Sequence, residues 1–163
     1  MTPPDIEIIP ALIIYKGFKE GSNIIMLDKG RDHDVGKNDV IVYKDGLVGR
    51  ILACGQHTCM ASMIVEPDIR VSVRIDPARV YGILKWHHGN TFIIDDIPTS
   101  VEVKPGQTVT TSGFSEIYPA DIPVGRITGV TSSENGFTYI IEGNYFVEFN
   151  KLREVFILRE NGN

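Results

Sequence analysis

Val48-Gly49-Arg50-Ile51 recurs 76 positions later as Val124-Gly125-Arg126-Ile127, and at the same offset Ile64 matches Ile140 and Glu66 matches Glu142. Over 48–66 against 124–142 that makes six identities in 19 positions. A related pattern precedes each copy, Gly36-Lys37-Asn38-Asp39-Val40 and Gly106-Gln107-Thr108-Val109. From that glycine to the four-residue motif the first copy spans 12 positions and the second 18, the excess lying around Thr111 to Pro119. Self-similarity at a fixed period signals a duplicated unit. A glycine repeated inside a valine- and isoleucine-rich run fits a kink or bulge where a small barrel turns a corner, a structural rather than catalytic demand.

Outward from the motif, short runs rich in Val, Ile, Thr and Tyr recur, each closed by a Gly, Pro, Asn or Asp cluster, which is the strand-and-turn signature. Strands are expected at 6–15, 23–27, 40–43, 47–54, 58–65, 69–75, 80–85, 91–97, 108–111, 124–130, 137–141 and 152–158. Asp45-Gly46 and Asn135-Gly136 accept the positive φ angles of a tight type I′ hairpin. Arg70 to Ile75 alternates basic or polar with apolar residues, giving one wet face and one buried face. Helix signals are poor, and a parallel α/β sheet does not fit. The expectation is an all-β chain of two small β-barrels of related topology.

Composition narrows the function classes. The 163 residues are 42% hydrophobic and 23% charged, as in globular domains. Sixteen basic against 21 acidic residues give a net charge of -5, and no basic run is present to neutralise a phosphate backbone, so nucleic acid is not an expected partner. The longest apolar stretches, 8–15 and 60–65, fall short of the roughly 20 residues of a membrane helix. The start Met1-Thr2-Pro3-Pro4-Asp5 lacks the basic and apolar regions of a signal peptide, so the sequence as it stands reads as a soluble polypeptide.

The search for chemistry is mostly negative. Paired β-barrels invite a trypsin-like reading, but Ser112 sits in Thr-Ser-Gly-Phe with no oxyanion-forming glycines, and Ser115 fares no better. His33 lies in the charged turn Arg31-Asp32-His33-Asp34, and no histidine has the apolar setting of a buried general base. No catalytic residue is assigned. Cys54-Gly55-Gln56-His57-Thr58-Cys59 offers three soft ligands, yet a structural zinc site wants four, and no metal is assigned. The two cysteines flank a hairpin and face each other as packed thiols, the favoured reading, or as a disulfide. His87-His88 and Asp95-Asp96 are adjacent pairs, so within a strand their side chains point to opposite faces. No glycine-rich phosphate cradle or dinucleotide fingerprint occurs, and no cofactor is expected.

Most aromatic residues should be core. Phe114, Ile117 and Tyr118 differ, because they lie in the insertion of the second copy, whose Gly and Pro make it a loop. They are the candidate partner-binding residues, with Glu116 and Asp121 as a polar rim; the alternative is that the insertion plugs a barrel end.

Gly46-Leu47-Val48-Gly49-Arg50-Ile51, Gly82-Ile83-Leu84, Thr110-Thr111-Ser112-Gly113 and Ile117-Tyr118-Pro119-Ala120-Asp121-Ile122-Pro123-Val124-Gly125 together resemble the rod shape-determining protein MreC family, as does the early Leu27-Asp28-Lys29-Gly30. The resemblance runs in order from about residue 10 to 158. It departs at Gly106-Gln107-Thr108, where the family usually carries Gly-Asp. The resemblance implies the extracytoplasmic β domain of a non-catalytic scaffold in the bacterial cell-elongation complex, one that binds peptidoglycan synthesis enzymes and controls cell shape. Its implied partners are MreB, MreD and a class B penicillin-binding protein acting as transpeptidase. It also implies a periplasmic location on the cytoplasmic membrane, a membrane helix and a coiled coil outside this chain, and a homodimer through that coiled coil. The family fold nests one barrel in the sequence of the other. Accordingly the first lobe is expected over 21–76 and the second over 77–158, with strand 6–16 a candidate to join the second lobe and a disordered tail over 159–163. The competing classes are a trypsin-like two-barrel hydrolase and an extracellular adhesion or carbohydrate-binding module; the latter would want exposed aromatics on a flat strand face.

Overall fold

The computed structural model describes residues 6–19, 22–44 and 46–160. Over these residues the chain forms β1 (Ile6–Lys19), β2 (Ser22–Leu27), β3 (Val40–Tyr43), β4 (Gly46–Cys54), β5 (Cys59–Met63), β6 (Arg70–Asp76), β7 (Val80–Trp86), β8 (Thr91–Pro98), β9 (Thr108–Thr111), β10 (Pro123–Ser132), β11 (Thr138–Tyr145) and β12 (Glu154–Glu160). Each expected strand is found, with ends shifted by a few residues. Two single 3₁₀ turns, Arg31–His33 and Phe149–Lys151, are the helical segments described. Among the described residues no helix is long and apolar enough to cross a membrane.

The strands close two six-stranded barrels, in the orders β1-β12-β3-β4-β5-β2 and β10-β11-β8-β7-β6-β9. All pairings are antiparallel. The chain accordingly divides into one unit of Met1–Met63 with Asn150–Asn163 and a second of Ile64–Phe149. Alternate residues fill each barrel: Ile25, Ile41, Ile51, Val155 and Ile157 in the first, Val73, Ile75, Phe92, Ile94 and Ile141 in the second, all with essentially no exposure.

The pairing lists superimpose if each strand βn corresponds to β(n+6). Thus β3-β4-β5 corresponds to β9-β10-β11, and β12-β1-β2 to β6-β7-β8. The chain is a tandem repeat of six strands in which the sixth strand of each repeat closes the barrel of the other. This exchange accounts for the difference from the expected boundaries. A division at residue 76 follows the repeat, but β6 hydrogen-bonds to β7 and β9 in the second barrel, while β12 hydrogen-bonds to β1 and β3 in the first. The strand at 6–15 pairs with β12 and β2, so it belongs to the first barrel, and it is the second barrel that is nested. Arg159 and Glu160 lie in β12 opposite Glu7 and Ile6 rather than in a tail; 161–163 fall outside the described residues.

Each residue of the repeated motif has a physical role. Val48 and Val124 are buried, as are Ile51 and Ile127. A Cβ on Gly49 would collide with the Ser62 carbonyl, and one on Gly125 with the Asn144 carbonyl and the Phe92 ring, so the motif glycine lets two backbones approach. The arginine braces the turn before the preceding strand: Arg50 Nη1 donates to Asn38 Oδ1 and Arg126 Nη1 to the Gly106 carbonyl, both at 2.8 Å. The isoleucine backbone clamps the same turn, Ile51 N–H to the Asp39 carbonyl and Ile127 N–H to that of Gln107, both 2.9 Å. Asn38 (φ 73°) is therefore the counterpart of Gly106 (φ 95°), two positions along from the alignment of Gly36 with Gly106; both occupy the left-handed region, which Asn tolerates best after Gly.

Beyond the motif the offset of 76 fails. Gly49 opposes Met63 whereas Gly125 opposes Tyr145, so the second hairpin is six residues longer and the matches at Ile140 and Glu142 are not structural equivalents. The Asn135-Gly136 turn is correspondingly wider than a type I′ hairpin: only Gly136 has positive φ, and the loop is closed by Ser133 N–H donating to the Thr138 carbonyl at 2.9 Å. Asp45, the other expected turn residue, lies outside the described residues.

Candidate functional site

The connection from β3 to β4 is minimal, but its counterpart from β9 to β10 carries the insertion over 112–122. Tying a loop of this length down requires partners for its backbone, and Thr111 provides several. Its Oγ1 donates to the Pro119 carbonyl (2.6 Å) and accepts from Ile122 N–H (2.9 Å). Its own N–H donates to the Ile122 carbonyl (2.8 Å), while Asp121 N–H donates to the Thr111 carbonyl (2.9 Å). Two serines cap turns inside the loop: Ser112 Oγ accepts from Phe114 N–H at 3.2 Å, and Ser115 Oγ from the N–H groups of Ile117 (3.2 Å) and Tyr118 (3.4 Å). Gly113 (φ 80°) packs so closely that a Cβ would sit 2.8 Å from the Ala120 Cβ.

An ionic staple adds to this. Arg74, on the outer face of β6, reaches Asp76 through Nε (2.9 Å) and Nη2 (3.1 Å), and Asp121 of the insertion through Nη2 (2.8 Å). Thr110 Oγ1 donates to Asp76 at 3.3 Å. Hydrogen bonds from the guanidinium hold the Asp76 carboxyl below its usual range, and the two carboxylates hold the guanidinium pKa above its own.

These ties set the three candidate residues apart. Tyr118 is buried, at 4% exposure, and anchors the loop from within. Phe114 is 71% exposed and Ile117 38%. Phe114 stacks on Tyr81 of β7, ring centroids 4.7 Å apart and planes at 29°. Tyr81 and Ile83 alternate outward along β7 and are themselves exposed. The result is an aromatic pair, Phe114 of the braced loop on Tyr81 of β7, with Ile83 exposed two residues along the same strand and Asp121 tied to Arg74. Sequence reasoning missed Tyr81, Ile83 and Arg74. In Val80 to Leu84 both faces of the strand are apolar or glycine, so alternation alone did not mark which residues face outward.

The other groups weighed from the sequence have structural partners. Ser112 and Ser115 serve the turns just described, and the described hydrogen bonds of the histidines run elsewhere. His57 Nδ1 and His33 Nδ1 each lie 2.8 Å from one oxygen of Asp32. Those bonds, the one from His57 foremost, hold the Asp32 carboxyl below its usual range. His87 and His88 stack on each other. Among the described residues no cluster of three or more His, Cys, Asp or Glu is arranged to hold a metal. Cys54 and Cys59 form a disulfide rather than packed thiols. They are direct register partners at the end of the β4–β5 hairpin, with Cα atoms 4.1 Å apart, well within bonding reach.

Comparison with known families matches residues 13–159 to the model described as "Rod shape-determining protein MreC, barrel core". The cell shape-determining protein MreC of Listeria monocytogenes is 24% identical over 139 residues, which cover 82% of this chain and 47% of that protein. The chain thus spans about half the length of this relative. Among solved structures, MreC from Pseudomonas aeruginosa matches with a TM-score of 0.87 at 16% identity, covering 93% of this chain and 98% of that one. A structure described as a complex between penicillin-binding protein PBP2 and MreC from Helicobacter pylori matches with a TM-score of 0.73 at 19% identity, covering 97% and 100%.

Proposed function

The chain belongs to the MreC family of rod shape-determining proteins, and from that premise we propose that it is a non-catalytic scaffold of the bacterial cell-elongation complex, acting on the extracytoplasmic side of the cytoplasmic membrane. Its task is to bind peptidoglycan synthesis enzymes, foremost a class B penicillin-binding protein with transpeptidase function. The H. pylori relative solved in complex with PBP2 supports that choice of partner. MreD and MreB complete the assembly, and a coiled coil and a membrane helix outside this chain supply dimerisation and anchoring. The candidate docking face is the one built by Phe114 and Ile117 with Tyr81 and Ile83. Tyr118 is a positioning residue within it.

The observation that carries the docking assignment is the exposed Tyr81–Phe114 stack on a loop fixed by Arg74, Asp121 and Thr111. Interfaces concentrate their energy in a few aromatic or apolar anchors inside a polar rim, and an anchor that is already immobilised loses little entropy on binding.

The test is calorimetric titration of the full chain with the periplasmic region of the transpeptidase. Phe114→Ala with Ile117→Ala is expected to weaken binding by about 2 kcal/mol or more, the hot-spot threshold, at an unchanged melting temperature. Tyr118→Ala is expected to lower the melting temperature instead. Unchanged affinity in the Phe114/Ile117 variant places the interface on another surface.

A further inference from the structure

Beyond the irregularity between Ile51 and Ala53, the β4–β5 hairpin continues as Ala53 opposite Met60 and Cys54 opposite Cys59. The two sides of this tip are held unequally. Cys59, on β5, is also a register partner of Leu27 in β2 and is 1% exposed. On β4 the pairing with β3 ends at Arg50 opposite Val40, so the described strand partners of Ala53 and Cys54 lie in β5 alone, and Cys54 is half-buried. Gly55, Gln56 and His57 between the cysteines are exposed. Gly55 N–H donates to the Thr58 carbonyl at 2.8 Å, and the Cys54–Cys59 disulfide closes the base of the loop.

The connection from β2 to β3 leans on this tip. Arg31 N–H donates to the Gly55 carbonyl and Asp32 N–H to that of Gln56, both at 3.0 Å. Asp32 Oδ2 lies 2.8 Å from His57 Nδ1. Gly30 touches the loop so closely that a Cβ would come 2.6 Å from the Gln56 carbonyl and from Thr58 N. The polar ties of this turn to the hairpin thus go to residues inside the ring that the disulfide closes. A cross-link between residues five positions apart withdraws little entropy from the unfolded chain, because that gain grows with loop length. Its effect is accordingly on the tip rather than on the barrel as a whole, and Cys54, the less buried of the pair, is the one an attacking thiolate reaches.

We propose that the Cys54–Cys59 bond is a reducible latch: a dithiol oxidoreductase opens it, and the turn at 30–34 is released from the tip while the first barrel stays closed. A thiolate of the reductant attacks Cys54 Sγ, the bond between the two sulfurs breaks, and Cys59 leaves as a thiolate that takes up a proton. The reductant's second thiol then displaces Cys54 as a thiolate, which is protonated in turn. The chain gains two electrons and two protons, and the reductant ends as a disulfide. The extracytoplasmic setting proposed above supplies the oxidising conditions under which the bond forms, and the latch is independent of the docking face on the second barrel.

The experiment treats the full chain with reduced thioredoxin, as the dithiol probe, at neutral pH and without denaturant, and counts free thiols colorimetrically. Both cysteines are expected to appear as thiols. Amide hydrogen exchange is then compared among the oxidised chain, the reduced chain and Cys54→Ala with Cys59→Ala. In the last two, the Arg31 and Asp32 amides are expected to exchange about tenfold faster or more, with Ile25 and Ile41 as protected as before. If the double variant does not fold, the reduced chain decides alone. Thiols that appear only in denaturant, or unchanged protection of Arg31 and Asp32, overturn the proposal. So does loss of protection at Ile25 and Ile41, which would make the bond a staple of the whole barrel.

Discussion

Exchange of the sixth strands makes the two barrels unequal under dissection. The second barrel is contiguous, β6 to β11, so an excised 64–149 segment contains every strand it needs. The first barrel depends on β12, which arrives only after the second is complete. Removing residues 153–163 takes away Val155 and Ile157, both fully buried, at about 2–3 kcal/mol each. It also strips the pairing of Ile6 to Leu12 and of Val40 to Val42. A unit of this size has only ~4–12 kcal/mol of stability in total, so losing ~5 kcal/mol of burial together with two ladders leaves the first barrel unfolded at 25 °C. Trp86, the single tryptophan, sits in β7, so its fluorescence reports the second barrel alone. In urea, the 64–149 segment and the chain ending at Leu152 are both expected to keep a cooperative Trp86 transition, while in the latter the amides of Ile25, Ile41 and Ile51 exchange freely. Full protection of those amides after truncation, or a 64–149 segment with no cooperative transition, would refute the exchange argument.

Two substitutions test the local physics. Gly49→Ala places a methyl against the Ser62 carbonyl, main chain that cannot rotate away, and is expected to cost at least about 3 kcal/mol by thermal denaturation, whereas Gly36→Ala, with nothing in the way, stays within ~0.5 kcal/mol. Tyr145→Phe removes a buried hydroxyl that has no hydrogen-bond partner among the described residues, keeps the edge-on contacts to Phe92 (5.2 Å) and Phe149 (5.4 Å), and is expected to raise stability by about 1 kcal/mol, a shift of ~2–4 °C; a lowered melting temperature would show that the hydroxyl is satisfied.

The strands were legible because each is a short β-branched run closed by turn residues, a local property that tertiary context did not override. Duplication was legible only where the barrel imposes identical demands on both copies. At Val48 to Ile51 a close backbone crossing, a brace and two core positions coincide, and Val124 to Ile127 meets the same demands with the same four residues. Past Ile51 the hairpins differ in length, and the matches at Ile64 and Glu66 carry no structural meaning. The exchange of β6 and β12 left no trace in the sequence, since each fits either barrel: Val73 and Ile75 fill the same inward positions as Val155 and Ile157. Only the partner strands distinguish them.

The insertion was legible as a place and not as an orientation. Its length and apolar content marked Phe114, Ile117 and Tyr118 together, yet a loop stapled at Thr111 and Arg74 must turn some side chains inward to be held at all. Tyr118 goes in, and Phe114 goes out over Tyr81. Nothing in the spacing separates them, because a loop has no fixed period to assign faces, unlike a strand or a helix. The buried Tyr118 and the staples at Thr111 and Arg74 hold the loop, while Phe114 rests on Tyr81 at the surface. A loop that displayed all three would have no anchor of its own and would order only on binding, with the entropy cost that entails.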